Sequence, residues 1–149
     1  MSEPDHVPTE PHSVDHAGLE ILSNDECQRF LESARVGRIA FIDHGEPVIL
    51  PITMGMWGRS IVFSTGPGSK LSAAIMHQPV AVEIDAWDAE AKRGWSVLVK
   101  GTATTVDDAQ ELDDLEKSSV HAWVEPESKK DWVRVLPNEI TGRRVPEPS

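Results

Sequence analysis

Apolar residues recur at two different spacings along the chain, and the change of spacing separates a helix from a series of strands. From Cys27 to Ala34 the apolar positions lie three or four residues apart, which predicts one buried face of a helix. Ser23 and Glu26 stand before that face with the spacing of a capping box, so the helix is expected to begin there. Because Cys27 belongs to the apolar face, we interpret it as a core residue rather than a nucleophile.

After Val36 the spacing of apolar residues falls to two, which is typical of β-strands with one buried face. The strands are expected at residues 38–42, 47–53, 61–65, 79–87, 95–106 and 132–137, and residues 140–144 close the chain. Short turns, among them residues 43–46 and 55–59, join most of these segments. Strands joined by tight turns pair in antiparallel fashion, so the sheet is expected to be antiparallel.

Two residues inside the predicted strands carry more specific information. Pro51 cannot donate a backbone hydrogen bond and marks an edge, a bulge or a strand end, whereas Gly101 indicates a bulge or a close backbone contact. Further helices are expected over residues 71–76 and from residue 107 to about residue 118. The simplest fold is therefore mainly β: a six-stranded antiparallel barrel with helices before the first strand, after the third and after the fifth.

Composition limits the partners of this fold. The chain has 149 residues and a formal net charge of −11, which suits one domain and opposes broad binding of nucleic acid or of anionic membranes. Residues 1–18 contain three prolines and no basic residue, so we expect a disordered acidic tail followed by one domain over residues 19–145. Without a signal-peptide pattern or a membrane-spanning apolar run, the sequence favours the cytoplasm.

The histidines of the predicted tail were weighed as metal ligands. His6, His12 and His16 lie six and four residues apart in a stretch that fixes no coordination geometry, and the single cysteine excludes a cysteine-rich zinc site. We therefore favour a solvated tail and predict no metal site.

The corner between the third strand and the second helix is the best candidate for a ligand site. Thr65, Ser69 and Lys70 supply hydroxyl groups and a cation, and the glycines between them allow a ligand to approach the backbone. A strand-to-helix corner of this kind suits a phosphate, although a plain turn with a helix cap has the same composition. The segment matches neither a Walker A loop nor the dinucleotide fingerprint of the Rossmann fold.

The order of the motifs resembles the pyridoxamine 5′-phosphate oxidase-like, FMN-binding split-barrel proteins, in their small single-domain branch. The matching stretches are residues 36–41, 45–52, 61–65, 68–71, 80–85, 94–101 and 140–144. The resemblance covers about residues 19–145. It implies a six-stranded split β-barrel that forms a homodimer, with FMN bound at the interface between the two subunits.

The resemblance also implies which residues contact the flavin. Thr65, Ser69 and Lys70 correspond to the phosphate-binding positions, and Ser64 stands where relatives usually carry an arginine. Residues 51–54 correspond to a stretch that lies against the isoalloxazine ring, and residues 95–97 line the same site. The complete candidate set is Pro51, Ile52, Thr53, Met54, Ser64, Thr65, Gly68, Ser69, Lys70, Trp95, Ser96 and Val97.

Three functions remain open at this point. The leading hypothesis is a flavin-dependent oxidoreductase that transfers a hydride to or from a small organic substrate, with FMN as the cofactor. The serine at position 64 leaves room for a deazaflavin-dependent reductase, or for a non-catalytic sensor or binding module with a degenerate cofactor site. No catalytic residue is assigned, because no nucleophile stands beside a base, and in flavin chemistry the cofactor itself carries the hydride.

Overall fold

The computed structural model describes residues 12–66, 69–120 and 130–147, which contain eight strands and three helices. The strands are β1 (Glu20–Ile21), β2 (Val36–Asp43), β3 (Glu46–Thr53), β4 (Gly55–Trp57), β5 (Ser60–Thr65), β6 (Pro79–Asp88), β7 (Arg93–Thr105) and β8 (Asp131–Arg144). The helices are α1 (Asn24–Ser33), α2 (Lys70–Ile75) and α3 (Ala109–Glu116).

All the strands belong to one antiparallel sheet, in the order β3-β2-β6-β7-β8-β5-β4, and β1 pairs with β8. Ile52, near one edge of the sheet, and Phe63, near the other, belong to the same buried core, so the sheet is curled into a half-barrel. The predicted mainly β split barrel with three helices is confirmed. Its six long strands were expected, while β1 and β4 are short additions that sequence spacing did not indicate.

Helix α1 begins as its sequence predicts. The Ser23 hydroxyl accepts a hydrogen bond from the Glu26 amide at 3.2 Å, and the Glu26 carboxylate accepts one from the Ser23 amide at 2.9 Å. Cys27 and Leu31 are buried against the barrel. Cys27 is 1% exposed, which confirms its interpretation as a core residue, and this burial raises the pKa of its thiol.

The positions of Pro51 and Gly101 in the sheet confirm what the sequence predicted for each of them. Pro51 lies on β3, an edge strand, where its missing amide hydrogen costs no ladder bond. The register of β7 against β8 shifts between Lys100 and Gly101, as expected for a bulge. A Cβ atom at Gly101 would lie only 2.3 Å from the Leu136 carbonyl oxygen, so the two backbones are in close contact.

Two predicted boundaries were wrong. Residues 55–57 form β4 rather than part of a turn, because they pair with the start of β5, from Trp57 opposite Ser60 to Gly55 opposite Val62. The last strand does not end at Pro137 but runs through it to Arg144. Pro137 pairs with Gly101, at the bulge, where the ladder is already interrupted.

The start of the described chain lies against the barrel. Residues 12–18 were predicted to belong to a disordered tail, yet His12 is hydrogen-bonded to Glu26 at 2.6 Å and Arg143 donates to Asp15 at 3.1 Å. These contacts join residues far apart in the sequence, which composition does not reveal. Residues 1–11, with His6, lie outside the described residues.

The described residues contain neither a membrane-spanning helix nor a cluster of metal-binding side chains. None of the helices formed by residues 12–66, 69–120 and 130–147 is long and apolar enough to cross a membrane. The same residues contain no group of three or more histidine, cysteine or acidic side chains arranged to hold a metal ion.

Candidate functional site

The corner between β5 and α2 brings four of the predicted residues together, namely Ser64, Thr65, Ser69 and Lys70, and we call them the β5–α2 corner. Ser64 and Thr65 end β5, where they pair with the first residues of β8. Ser69 caps α2, since its hydroxyl accepts a hydrogen bond from the Ser72 amide at 3.1 Å. Gly68, the fifth predicted residue of this segment, lies outside the described residues.

Lys70 is the exposed cation of this corner. No carboxylate of the described residues forms an ion pair with it, although Lys100 is paired with Glu139 and Lys117 with Asp113. The hydroxyl oxygen of Ser64 is buried and has no hydrogen-bond partner within the described ranges. An uncompensated ammonium beside hydroxyl groups is an arrangement that favours a small anion.

Residues 51–54 divide between the surface and the core. Ile52 and Met54 are buried, and the Met54 Sδ atom packs closely on Gly37, so neither side chain is open to a ligand in a single chain. Pro51 is exposed and Thr53 is half-buried. Because Gly55 pairs with Val62, the chain leaves β3 alongside the end of β5 and brings Thr53 towards the β5–α2 corner.

The remaining predicted residues begin β7. Val97 is fully buried in the core. Trp95 is half-buried and stacks on Phe30 of α1, with ring centroids 3.9 Å apart and an interplanar angle of 20°. Trp95 and Ser96 line a cavity of about 200 Å³ together with Trp87 and the end of β8, and we call it the Trp95 cavity.

A single chain does not bring the two groups of predicted residues together. Thr65 pairs with Asp131, the first residue of β8, whereas Trp95 pairs with Arg144, the last. A strand of this length extends about 40 Å at roughly 3.3 Å per residue. The β5–α2 corner and the Trp95 cavity therefore lie at opposite ends of the barrel.

Charged residues surround the Trp95 cavity and were not in the predicted set. Arg144 is 3.2 Å from Glu20 and 3.4 Å from Glu26. Burial raises the pKa of Glu26, but hydrogen bonds from Ser23 and His12 outweigh it, so the pKa lies below its ordinary value. The consecutive arginines at the end of the chain are the sequence signal that could have pointed here.

Another charged cluster lies on the outer face of β2 and β6. Arg38 contacts Glu83 at 3.1 Å and Asp85 at 2.9 Å. Burial and the neighbouring Asp85 raise the pKa of the Glu83 carboxyl, although Arg38 opposes them. The two acids lie on β6, whereas the arginine that they share lies on β2.

A larger cavity of about 540 Å³, which we call the α2–α3 cavity, lies beside the β5–α2 corner. Its walls come from α2, the end of β7, α3 and the start of β8, and include Ser72, Thr105 and Asp107. Sequence reasoning missed it, because its residues come from four separate elements and share no periodicity.

Comparison with known proteins identifies the family. A family model described as pyridoxamine 5′-phosphate oxidase matches residues 23–144. An uncharacterized protein of Mycobacterium tuberculosis is 30% identical over 129 residues, which are 83% of this chain and 84% of that protein. An FAD-binding protein from Mycobacterium smegmatis has 38% sequence identity and a TM-score of 0.70, over 83% of this chain and 95% of that one. A conserved protein of unknown function from Corynebacterium diphtheriae has 26% identity and a TM-score of 0.70, over 84% and 96% of the two chains. The chain therefore belongs to the pyridoxamine 5′-phosphate oxidase family.

Proposed function

We propose that this protein binds a flavin through the β5–α2 corner and acts as a flavin-dependent oxidoreductase on a small organic molecule. The observation that carries the proposal is the exposed Lys70 ammonium, which no carboxylate of the described residues neutralises, next to the hydroxyl groups of Thr65 and Ser69. The FAD-binding relative from Mycobacterium smegmatis, 38% identical, supports a flavin as the ligand.

The residues of the corner fit a flavin phosphate. Lys70 supplies the charge, and the Thr65 hydroxyl, whose contact to the Gly66 carbonyl is a long 3.4 Å, is available to donate. The Ser64 hydroxyl is buried, and Ser64 precedes Thr65 in β5. A bound flavin supplies the hydride chemistry, while the protein binds and orients it and excludes water.

The ring end of the flavin requires a second copy of the chain. The β5–α2 corner and the Trp95 cavity are at opposite ends of β8, so one chain does not place both beside a single flavin. In a homodimer, the aromatic walls of one subunit's Trp95 cavity stand beside the other subunit's corner. The proposal is therefore a dimer with the flavin between its subunits.

The outer face of β2, β3 and β6 is the surface we assign to this dimer. Ile42 is 62% exposed and Ile49 is 67% exposed, and Ala40 pairs with Ile49 on one side and with Ala81 on the other. Small and branched apolar side chains thus form a flat exposed patch, which favours association with another protein surface. Its continuity with the Arg38 cluster, near the Trp95 cavity, argues for a second copy of the chain as the partner.

The dimer has its own test by sedimentation. Ile49→Glu is expected to convert the dimer to a monomer and to abolish flavin binding, because a charge at the centre of the patch opposes its burial. Val14→Glu is the matched control, since Val14 is 58% exposed outside this patch. A wild-type monomer that binds flavin would contradict the dimer proposal.

Flavin binding is tested by titrating the apoprotein with FMN and FAD and following flavin fluorescence. Lys70→Gln is expected to weaken binding about 10- to 150-fold, because a hydrogen bond to a charged group contributes about 1.5–3 kcal/mol. Lys117→Gln removes the same charge from an exposed lysine at the C-terminal end of α3 and is expected to leave flavin affinity unchanged. A wild-type protein that binds neither flavin would refute the proposal.

Ser64 favours a second candidate, a binding module without turnover. The family resemblance implies an arginine at this position, and a serine hydroxyl gives a weaker phosphate contact than a bidentate guanidinium does. Ser64→Arg should then increase flavin affinity. Titration with a deazaflavin tests the third alternative, a deazaflavin-dependent reductase.

Anaerobic mixing with NADH or NADPH tests the oxidoreductase activity itself. Bound flavin that is bleached at 450 nm supports the enzyme, and flavin that neither nicotinamide reduces supports the module.

A further inference from the structure

Residues 13–21, which we call the N-terminal hairpin, close one side of the Trp95 cavity. The Ile21 amide donates to the Ser13 carbonyl at 2.7 Å. The Asp15 amide donates to the Leu19 carbonyl at 2.8 Å, so the segment folds back on itself. Its second arm contains β1, which pairs with the end of β8, and Leu19 lines the cavity. The hairpin is therefore a wall of this cavity.

Arg143 lines the same cavity and offers a pair of N–H groups that the hairpin only half occupies. Its Nε donates to Asp15 Oδ2 at 3.1 Å, and its Nη1 donates to the Gly142 carbonyl at 2.9 Å. Its Nη2 has no hydrogen-bond partner among the residues that the structure describes. In a guanidinium group, Nε–H and Nη2–H point in the same direction and bind the two oxygens of one carboxylate. A bidentate carboxylate would thus fill a position that Asp15 fills only in part.

The other oxygen of Asp15 holds the turn of the hairpin. Oδ1 accepts hydrogen bonds from the Ala17 and Leu19 amides, both at 2.9 Å. The bond from the Leu19 amide is the main cause that lowers the pKa of the Asp15 carboxyl, and Ala17 and Arg143 lower it further. The turn depends on Oδ1 and the ion pair on Oδ2, so a ligand can displace the ion pair while the hairpin stays folded.

The remaining charged groups of the cavity have partners already. Nε and Nη2 of Arg144 both donate to Glu20 at 3.2 Å, and Asp85 is paired with Arg38 at 2.9 Å. Arg143 is therefore the better anchor for an anion.

The apolar walls of the cavity suit one aromatic ring. Trp87 is 63% exposed, and its ring lies over Gly94, where a Cβ would be only 2.3 Å from Trp87 Cε3. Much of this indole therefore remains open to a stacking partner. The cavity volume of about 200 Å³ is below the roughly 300–1,000 Å³ of pockets that hold drug-sized ligands, so it favours a smaller molecule.

We propose that the Trp95 cavity binds a small aromatic carboxylate, which takes the Nε and Nη2 groups of Arg143 from Asp15 and stacks its ring on Trp87. The N-terminal hairpin is then an internal competitor, because Asp15 must leave Arg143 before both oxygens of the ligand bind. That this ligand is the substrate rests on the flavin site proposed above, since in that dimer the cavity stands beside the flavin. Binding of the carboxylate itself does not require a flavin.

The test is calorimetric titration of the flavin-free protein with benzoate, benzamide and benzylamine, whose polar groups are negative, neutral and positive. Benzoate is expected to bind at least about tenfold more tightly than benzamide, because its contact with Arg143 is charge-assisted and bidentate. Arg143→Gln should remove this preference. Asp15→Asn keeps an oxygen acceptor for the turn and removes the competing charge. It should bind benzoate about two- to fivefold more tightly, which is the strength of a partly exposed ion pair.

Two matched controls remove a charge without touching the cavity. Arg93→Gln removes an arginine that is paired with Glu147, and Asp113→Asn removes an acid that is paired with Lys117. Both are expected to bind benzoate as the wild type does. Circular dichroism verifies that each variant is folded. Arg143→Lys, which keeps the charge and loses the bidentate geometry, should also weaken benzoate and covers the case in which Arg143→Gln does not fold.

The outcomes separate this proposal from the flavin site. The carboxylate site is refuted if benzoate binds to neither the wild type nor Asp15→Asn, if benzylamine binds more tightly than benzoate, or if the Arg143 variants bind benzoate as well as Arg93→Gln does. If benzoate binds and no flavin does, the flavin site fails and the carboxylate site stands. If both bind, benzoate is expected to change the visible absorbance of the bound flavin, and an unchanged spectrum would refute the assignment of the carboxylate as substrate.

Discussion

Replacing Gly101 with alanine is expected to destabilise the barrel at its centre. The new Cβ would lie 2.3 Å from the Leu136 carbonyl oxygen, 2.9 Å from its carbon and 3.1 Å from a Val135 methyl group. The nearest atoms are backbone in the β7–β8 ladder, so no flexible side chain can move aside. To restore ordinary contact the two strands must separate by about 1 Å, a distance at which their close packing is lost.

Overpacking of this kind costs about 1–3 kcal/mol. For a chain of this size each kcal/mol lowers the melting temperature by about 2–4 °C, so a decrease of about 2–12 °C is expected. Urea unfolding followed by circular dichroism gives the free energy directly. Gly66→Ala is the matched control, since a Cβ there meets no atom of the described residues within 4 Å and its φ is not positive.

The control is expected to be neutral or slightly stabilising, because alanine restricts the unfolded chain more than glycine does. If Gly101→Ala is as stable as Gly66→Ala, the close contact between β7 and β8 is not a constraint on position 101. The explanation of the bulge through Gly101 would then be refuted. If Gly101→Ala is less stable while the slope of its unfolding free energy against urea is unchanged, the substitution acts on the native state, as we expect.

The remaining predictions concern single buried or paired groups. Leu115→Ala, in the fully buried contact of α3 with β5 and β8, is expected to cost about 2–5 kcal/mol in urea unfolding. The Cys27 thiol, buried and with a raised pKa, should react with a thiol reagent only in denaturant, and rapid reaction of the native protein would contradict its position. Because the raised pKa of Glu83 makes the folded protein bind its proton more tightly, its contribution to stability falls as the pH rises above the ordinary value of 4.5. Glu83→Gln should flatten that part of the pH–stability profile, and an unchanged profile would exclude Glu83 as its source.

The parts of the fold that the sequence predicted depend on local chemistry. The capping box of α1 needs only residues three positions apart, and the bulge at Gly101 follows from a glycine within a long strand. β4 was missed because its three residues are too few to show a period, and it is defined by its pairing with β5. The position of residues 12–18 was also missed, because it depends on a contact between residues that are far apart in the sequence, the ion pair of Asp15 with Arg143.

One part of the candidate site was predicted from the sequence, and its arrangement relative to the other part was not. The β5–α2 corner is one continuous segment, so its hydroxyl groups and Lys70 were visible in the sequence as a possible phosphate site. The separation of that corner from Trp95 depends on the register of β8, which pairs with β5 at one end and with the start of β7 at the other. No property of the single strands reveals that register.

The charge distribution bears on how the proposed flavin site is tested. The chain has a net charge of −11, and no carboxylate of the described residues forms an ion pair with Lys70. Because an exposed lysine is well hydrated without such a partner, the fold neither requires nor opposes an anion at this position. The contribution of Lys70 therefore has to be measured as binding, and the comparison of the wild type with Lys70→Gln and Lys117→Gln measures it.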